Sequence, residues 1–204
     1  MGEIRSAIEI AMEKTAGIRS DKNAVETGKR KNEGKKAAAL FLDGGDAEAF
    51  SAAIRGAADK NAFTAGALPV FCAAVRLPEQ DADVENIRRL AEGIALLLPQ
   101  AGLEALFRQG EVVFRQYLED REAARRAVEQ QFEPRRKARE EELSRRYNQR
   151  ISLSLAQDPE YVSTLSKHLN ALRAQYEAVV AEIRGRIQEA GGLQEEEDGG
   201  QAEG

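Results

Sequence analysis

Apolar residues recur every three or four positions through most of the first half of the chain, a spacing typical of one buried face of an α-helix. It predicts an amphipathic helix over about residues 2–19 and a second helix that Asp46 can cap and that extends to about Lys60. A further apolar stripe begins at about residue 81 and ends before Pro99. The first hundred residues therefore predict four or five short helices around one alanine-rich core.

Two segments of this half allow two interpretations. Residues 20–36 are hydrophilic, dense in lysine and interrupted by Gly28 and Gly34, so they predict either a loop or the weak start of the next helix. Residues 62–77 are apolar on every side, which fits a buried helix with Pro69 in its first turn or a short buried strand. We expect a helix there, because a single strand needs a partner and the sequence has no second β-rich run.

The second half of the chain has a different pattern, which stays helical from Leu103 to about Ile151. Residues 119–146 form a charged shaft in which 17 of 28 residues are ionic. Pro134 lacks an N–H group and predicts a kink or a break in this helix. The few apolar residues repeat every eleven positions, a spacing that follows a nearly straight helix. The repeating sets are Leu106, Tyr117 and Val128; Val113 and Ala124; and Phe132 and Leu143.

A last helix is predicted to begin after Asp158, which can cap it with Pro159 at the first helical position, and to end at Gly191-Gly192. Because only a short connector precedes it, we expect an antiparallel helical hairpin that projects from the N-terminal bundle. Its apolar residues step alternately by three and four positions, as in a heptad repeat. This heptad seam consists of Val162, Leu165, Leu169, Leu172, Tyr176, Val179 and Ile183.

The heptad seam allows two interpretations. In the first, the last helix folds back on the charged shaft and covers its sparse apolar stripe within one chain. In the second, the seam pairs with a second copy of the protein or with a partner helix, because a 3.5-residue repeat matches an eleven-residue repeat poorly.

Together these patterns predict an all-α protein in three parts: an N-terminal helical bundle over residues 1–118, a charged, coiled-coil-like hairpin over 119–190 and a disordered acidic tail over 191–204. The composition agrees with this prediction. Of the 204 residues 42% are hydrophobic, which excludes a wholly disordered chain, and the 5% aromatic content without tryptophan disfavours a β-sandwich. The net charge of −5 gives no general attraction to nucleic acid or to an anionic membrane.

The sequence also predicts a cytoplasmic location and no membrane contact. Residues 1–6 lack the basic start of a secretory signal, and the apolar runs are far shorter than the roughly 20 residues that span a bilayer. Cys72 is the single cysteine, so no disulfide within the chain marks an oxidising compartment.

Residue types that carry catalysis or bind metals are scarce. His168 is the single histidine, and without a second histidine or a nearby cysteine it cannot build a zinc site of the usual kind. The stretch from Gly28 to Lys36 departs from a phosphate-binding loop, because its glycines are one residue too far apart and Lys36 replaces the Ser or Thr that holds magnesium. We therefore expect no enzyme, no metal and no cofactor.

Two basic patches are the remaining candidates for phosphate contact. The second, over residues 135–146, contains interleaved glutamates, and pairs such as Glu141 with Arg145 and Glu142 with Arg146 predict a solvated ionic face. Nucleic-acid binding is therefore the less favoured interpretation. The first patch, over residues 29–36, consists of Lys29, Arg30, Lys31, Lys35 and Lys36.

Several short motifs resemble those of an uncharacterised bacterial family of all-helical proteins, a domain of unknown function. The similarity covers roughly residues 1–120. It rests on SAIEIAMEKT at 6–15, GKK at 34–36 before LFL at 40–42, LP at 77–78 before an acidic helix, and EG at 92–93. The resemblance implies a bacterial, cytoplasmic, helical protein and no catalytic residue.

We therefore expect a non-enzymatic structural or interaction protein, a scaffold or adaptor. The hairpin would mediate self-association or the docking of a protein partner. The alternative is a nucleic-acid-associated protein that uses the basic patches at 29–36 and 135–146.

Overall fold

The computed structural model describes the backbone of residues 7–192 and the side chains of residues 23–192, and the predicted acidic tail beyond Gly192 lies outside this range. Every regular element in the described part is helical, which confirms the all-α prediction. The helices are α1 (Ala7–Leu42), α2 (Ala47–Gly56), α3 (Lys60–Ala74), α4 (Asp81–Leu97), α5 (Glu104–Tyr147) and α6 (Pro159–Ala190), with a short 3₁₀ turn at Leu155–Gln157 before α6.

The described residues belong to two compact units that are interleaved along the chain. The first unit comprises Met1–Ala74, Arg89–Leu103 and Gly185–Gly204, and the second comprises Val75–Arg88 and Glu104–Arg184. The predicted segments 1–118, 119–190 and 191–204 are divisions of the sequence and stay predictions.

Helix α1 continues through residues 20–36, the segment for which the sequence allowed either a loop or a helix. Arg30 supports it with ion pairs to Glu26 (2.8 Å) and Glu33 (3.0 Å), one turn away on either side. Gly34 does not break the helix but lies where α1 meets α3. The hydrophilic character of this segment therefore reflects an exposed helix.

Aspartates begin the next two helices. The Asp46 side chain accepts a hydrogen bond from the Ala49 N–H (3.3 Å), as the sequence predicts. Asp59 does the same for α3, accepting from the Ala62 N–H (2.9 Å), a cap that was not predicted from the sequence. Helix α2 ends at Gly56 and not at Lys60, because the chain turns to extended backbone at Ala57 before the second cap.

Residues 60–74 form a helix, so the expectation of a helix and not a strand is confirmed. Pro69 lies in the body of α3 and not in its first turn, which corrects the predicted register. The proline removes one hydrogen bond, to the carbonyl of Ala65. It lies on the exposed side of the helix, while Leu68 and Phe71 on the other side are fully buried and offset the loss.

The backbones of α1 and α3 touch in the first unit because glycine occupies both sides of the crossing. A Cβ atom at Gly34 would lie 2.0 Å from the carbonyl oxygen of Phe63, and one at Gly66 would lie 1.9 Å from the carbonyl oxygen of Lys31. No side chain fits at these distances. The crossing therefore depends on two glycines that are 32 positions apart in the sequence.

Three phenylalanines and one arginine close the end of α1. The ring centroids of Phe41, Phe50 and Phe71 lie 5.0 to 6.3 Å apart. Arg89 lies over the Phe41 ring at 4.6 Å and donates hydrogen bonds to the carbonyl oxygens of Phe41 (2.6 Å) and Gly45. The Phe41 carbonyl lies in the last turn of α1 and also accepts from the Gly44 N–H (3.3 Å), and the Gly45 carbonyl lies in the turn that follows. The guanidinium thus adds donors where the helix no longer supplies them.

In the second unit α5 and α6 run antiparallel in one constant register. Phe132 contacts Tyr161 (5.7 Å between centroids) and, further along, Tyr117 contacts Tyr176 (5.2 Å). Both pairs fit a register in which Gly110 lies beneath Ile183, where an added Cβ would be 2.9 Å from Cδ1. We call α5, residues 148–158 and α6 up to Arg184 the α5–α6 pair; the coiled-coil geometry predicted for it stays a prediction.

The face of α6 that carries these contacts repeats every eleven residues. Tyr161 and Ile183 are 22 positions apart, as are Gly110 and Phe132 on α5, so both helices advance by two equal repeats over the same length. The predicted eleven-residue repeat of α5 includes Tyr117, Val128 and Phe132, all buried. The corresponding face of α6 contains Tyr161, Leu165, Leu169, Leu172, Tyr176, Val180 and Ile183, and each of these is buried or half-buried.

Helix α5 continues through Pro134 to Tyr147, so of the kink or break predicted there the break is wrong. Pro134 lies on the exposed side of the helix, where solvent can satisfy the carbonyl of Gln130. The helix ends at Asn148 and not at Ile151, because Asn148 adopts a left-handed backbone (φ 49°) and the Gln149 N–H donates back to the Ser144 carbonyl (3.3 Å). This is the hydrogen bond of a Schellman cap.

An ion-pair network joins the start of α4 to α5 in the second unit. Glu111 receives hydrogen bonds from Arg88 (2.6 and 2.9 Å) and Arg115 (2.9 Å). These bonds lower the pKa of Glu111 to about 2. Glu111 is therefore ionised in the folded protein at any pH well above 2.

We expect Gly34→Ala or Gly66→Ala to lower the free energy of unfolding by about 1–3 kcal/mol, since the added methyl must push two helix backbones apart. Urea denaturation followed by circular dichroism measures the change. Gly28→Ala is the matched control, because no atom lies within 4 Å of the added Cβ and alanine favours the helix by roughly 0.5–1 kcal/mol. Equal stability of all three variants would contradict the backbone contact.

We expect Glu111→Gln to lower the free energy of unfolding by about 1 kcal/mol at neutral pH. The folded-state pKa is depressed, so the carboxylate stabilises the fold above its ordinary pKa of 4.5 and loses this contribution as the pH falls toward 2. Urea titrations from pH 7 to pH 2.5 should therefore show the two curves converging in acid. A difference that stays constant over this range would contradict the ionic contribution.

Candidate interaction site

Residues 148–158, which connect α5 to α6, return along α5 and are hydrogen-bonded to its side chains. Ser144 Oγ accepts from the Ile151 N–H (3.0 Å), and Glu140 Oε1 accepts from the Leu153 N–H (2.7 Å). Arg136 donates to the Leu153 carbonyl oxygen (3.4 Å). The three side chains lie one turn apart on α5, so they hold the returning segment along the helix.

An apolar cluster of α5 and α6 side chains packs against this segment. Phe132 and Tyr161 are each 6% exposed and Val128 is 3% exposed, and Leu155 and Leu165 pack against them. The cluster joins the last third of α5, the 3₁₀ turn and the first turns of α6. Through Leu155, this cluster packs the 3₁₀ turn against α5 immediately before α6 begins.

A groove of about 680 Å³ lies between the end of α5 and the returning segment. We call it the tip groove. One part of its lining is cationic, from Arg135, Arg136 and Arg139. Another part is apolar, formed by Ala138, Leu153, Leu155 and Pro159, and the carboxylates of Glu142 and Asp158 also line the groove.

The arginines of the tip groove form ion pairs that differ in how far they are exposed to solvent. Arg136 is 23% exposed and held between Glu133 (2.7 Å) and Glu140, and its hydrogen bond lowers the pKa of Glu133 to about 2. Arg135 pairs with Glu160, which raises the pKa of Arg135. Arg139 pairs with Glu142 at 3.3 Å, and both side chains are 61% exposed. Arg136 is therefore structural, whereas Arg135 and Arg139 remain accessible to solvent.

A cationic stripe extends the groove along α5. The stripe consists of Arg135, Arg139 and Arg146. These residues are separated by four and then seven positions, so they lie on one face of the helix. The predicted pair of Glu142 with Arg146 does not form, because Glu142 pairs with Arg139, and Arg146 lies beside the exposed Tyr147 ring (5.7 Å). Among the described residues no carboxylate pairs with Arg146. The predicted pair of Glu141 with Arg145 is present at 3.2 Å.

Two tyrosines link α6 to α5 by hydrogen bonds. The Tyr176 hydroxyl donates to Asp120 (2.6 Å), and burial together with this bond raises the pKa of Tyr176 to about 12. The Tyr161 hydroxyl lies 3.5 Å from Glu129, and its pKa is raised mainly by burial. Both phenols therefore stay neutral at physiological pH and serve as donors.

The residues of the heptad seam differ in how deeply they are buried. Ile183 is buried, whereas Val162 is 44% exposed and projects away from the contact with α5. The other five seam residues are half-buried: Leu165, Leu169, Leu172, Tyr176 and Val179. On α6 the eleven-residue face shares all of the seam except Val162 and Val179. The contacts within the chain thus account for most of the seam, and its pairing with another helix stays a prediction.

The basic patch over residues 29–36 lies on the exposed part of α1, in the first unit. Lys29 is 3.8 Å from Glu26, and Arg30 pairs with two glutamates. Lys31, Lys35 and Lys36 are exposed and have no ion pair within the described residues. Lys31 and Lys35 lie one helical turn apart. The patch therefore presents at least three ammonium groups to solvent.

The residues considered for metal or nucleophile chemistry belong to different units. His168 is exposed on α6, and Cys72 is buried on α3. Over residues 23–192 the side chains form no group of three His, Cys, Asp or Glu able to hold a metal ion. No helix in the described part is long and apolar enough to cross a membrane.

The hydrogen bond from the Leu153 N–H to Glu140 gives a local prediction. We expect Glu140→Ala to speed deuterium exchange at the Leu153 amide by roughly 10- to 100-fold, because a bond to a charged acceptor is lost. Mass spectrometry of exchanged peptides measures the rate. Glu141→Ala is the control, since Glu141 is 69% exposed and pairs only with Arg145. Unchanged exchange in Glu140→Ala would contradict the ordered returning segment.

Comparison with known proteins places the chain in a family but not in a function. A family model described as a family of unknown function, DUF6657, matches residues 53–189, more than half of the chain. The match lies further along the sequence than the resemblance seen over residues 1–120, and it confirms an uncharacterised helical family. No curated protein and no solved structure matches the chain. The chain therefore belongs to the DUF6657 family of unknown function.

Proposed function

We propose that this protein is a non-enzymatic scaffold or adaptor that binds a protein partner through the helical hairpin formed by the α5–α6 pair. The observation that carries the proposal is the tip groove, where arginines and apolar side chains line one concavity of about 680 Å³. A cytoplasmic location is part of the same proposal.

The mixed lining of the tip groove favours a peptide or a protein surface as its ligand. Arginine is among the residue types enriched at protein interfaces, and the apolar wall beside it offers surface that a partner can bury. The hydrogen bonds of Leu153 to α5 hold one wall of the groove in place. A preorganised wall reduces the entropy lost when a partner binds.

The electrostatics of the tip groove disfavour acid–base catalysis. A general acid or base works best with a pKa near the operating pH. Here the pKa of Glu133 is lowered to about 2, and the pKa values of Arg135 and Arg136 are raised. Each shift moves the pKa of the group further from neutral pH. The group therefore keeps its charge, which suits recognition of a charged partner.

Affinity capture from the native cell tests the scaffold. The full chain should retain a partner that is lost with Arg135→Glu/Arg139→Glu, because charge reversal repels whatever contacts the stripe. Arg173→Glu is the matched control, since its exposed ion pair with Glu177 (3.2 Å) lies on α6 outside the groove. The captured protein is then identified, purified and titrated against all three forms. Equal binding by all three would contradict a role for the tip groove.

One observation favours nucleic-acid binding as a second candidate. Lys31 and Lys35 are exposed on one face of α1 and have no carboxylate partner in the described structure, so phosphates could reach them.

We nevertheless expect no detectable affinity for duplex or single-stranded DNA at physiological salt, because no aromatic residue accompanies these lysines on residues 29–36. A gel-shift titration measures it. A salt-sensitive shift would establish the second candidate if it disappears when five residues are changed to glutamine: Lys29, Arg30, Lys31, Lys35 and Lys36.

A further inference from the structure

We propose that the tip groove binds the acidic segment at residues 193–198 of a second copy of this chain. The inference rests on the proposed function, because it names the occupant of the same groove. The sequence of the acidic segment is LQEEED, a leucine followed by four acidic residues within the next five positions.

The segment and the groove are complementary in two respects. The carboxylates at 195–198 match the cationic stripe of Arg135, Arg139 and Arg146. Two carboxylates, Glu142 and Asp158, also line the groove, and Glu160 pairs with Arg135, so the acidic segment would compete with these groups for the arginines. Leu193 matches the apolar wall formed by Ala138, Leu153, Leu155 and Pro159. A run of phosphates would match only the stripe, so the apolar wall favours a peptide.

The existing ion pairs of the stripe do not prevent this binding. Arg135 and Arg139 are each 61% exposed, and their paired glutamates are similarly exposed, with Glu160 at 63% and Glu142 at 61%. Asp158, 27% exposed, lies 4.0 Å from Arg135, at the limit of an ion pair. Exposed pairs of this kind contribute little to stability and exchange partners readily. Arg146 has no carboxylate to release among the described residues.

The length of α6 requires that the segment come from another copy. Pro159 lines the tip groove, and α6 runs for 32 residues from it to Ala190, about 48 Å at 1.5 Å per residue. Asp198 lies eight residues beyond Ala190, which spans at most about 29 Å when fully extended. The acidic segment therefore cannot return to its own groove.

Binding between copies is then heterologous, because the groove of one chain receives a segment from a different surface of the next. In a dimer held by one such contact, one copy keeps an unoccupied groove and the other keeps an unbound segment, so further copies can add. The association should depend on concentration and weaken in salt, since its polar contacts are exposed.

Sedimentation velocity of the full chain over a wide concentration range, at low and at high salt, tests the proposal. We expect wild type to self-associate at low salt and its association constant to fall about tenfold or more at high salt. Two variants should remain monomeric alone: the segment variant Glu195→Gln/Glu196→Gln/Glu197→Gln/Asp198→Asn and the groove variant Arg135→Gln/Arg139→Gln. The control Arg173→Gln should associate as wild type does.

Mixing the two variants gives the decisive measurement. One retains an intact groove and the other an intact acidic segment, so an equimolar mixture should form a 1:1 heterodimer and nothing larger. A wild-type chain that stays monomeric, a segment variant that still associates, or a mixture without heterodimer would each overturn the inference. So would single-stranded DNA that binds wild type but not the groove variant.

The failure of this inference is distinguishable from failure of the proposed function. If wild type stays monomeric while affinity capture still returns a partner that depends on Arg135 and Arg139, the occupant is a different protein. If neither is observed, both proposals are wrong.

Discussion

The organisation of the second unit depends on one geometric match, the common eleven-residue spacing of α5 and α6. Because both helices present buried side chains at the same interval, a single antiparallel register satisfies the contacts at Phe132 with Tyr161 and at Tyr117 with Tyr176. That register determines where α5 must end and where α6 must begin. The returning segment, its hydrogen bonds to Glu140 and Ser144, and the tip groove all follow from it.

Much of the helical layout could be predicted from local chemistry. The caps at Asp46 and Asp158 act over three residues or fewer, and the structure shows both of them accepting hydrogen bonds at helix starts. Residues 20–36 could not be assigned in this way. Glycine disfavours a helix, but at position 34 it allows the close approach of α1 to the Phe63 backbone, which only the tertiary structure reveals. The break expected at Pro134 does not occur, because the free energy that a proline costs inside a helix depends on whether solvent reaches the carbonyl left without a partner, here that of Gln130.

The candidate site was predictable only in part. The arginines at 135–146 were visible in the sequence, whereas the bond from Leu153 to Glu140 joins residues 13 positions apart and has no local signal. The seam on α6 shows a different limit. Heptad and eleven-residue faces share most positions over about six turns, and they differ only where Val162 or Val179 would replace Tyr161 or Val180. Only the position of α5 decides between them.

Arg89 belongs to a wider pattern in which guanidinium groups bind backbone carbonyls where helices end. Arg184 donates to the carbonyl of Val75 (2.6 and 3.1 Å), just after α3, and Arg121 donates to that of Glu79, just before α4. A lysine could keep the charge of Arg89, but its single nitrogen could not reach two carbonyls and stack on a ring together. Each of these connections thus depends on an arginine at least 42 positions away in the sequence, so replacing one of these side chains would remove a donor at a helix end without changing any residue of the connection itself.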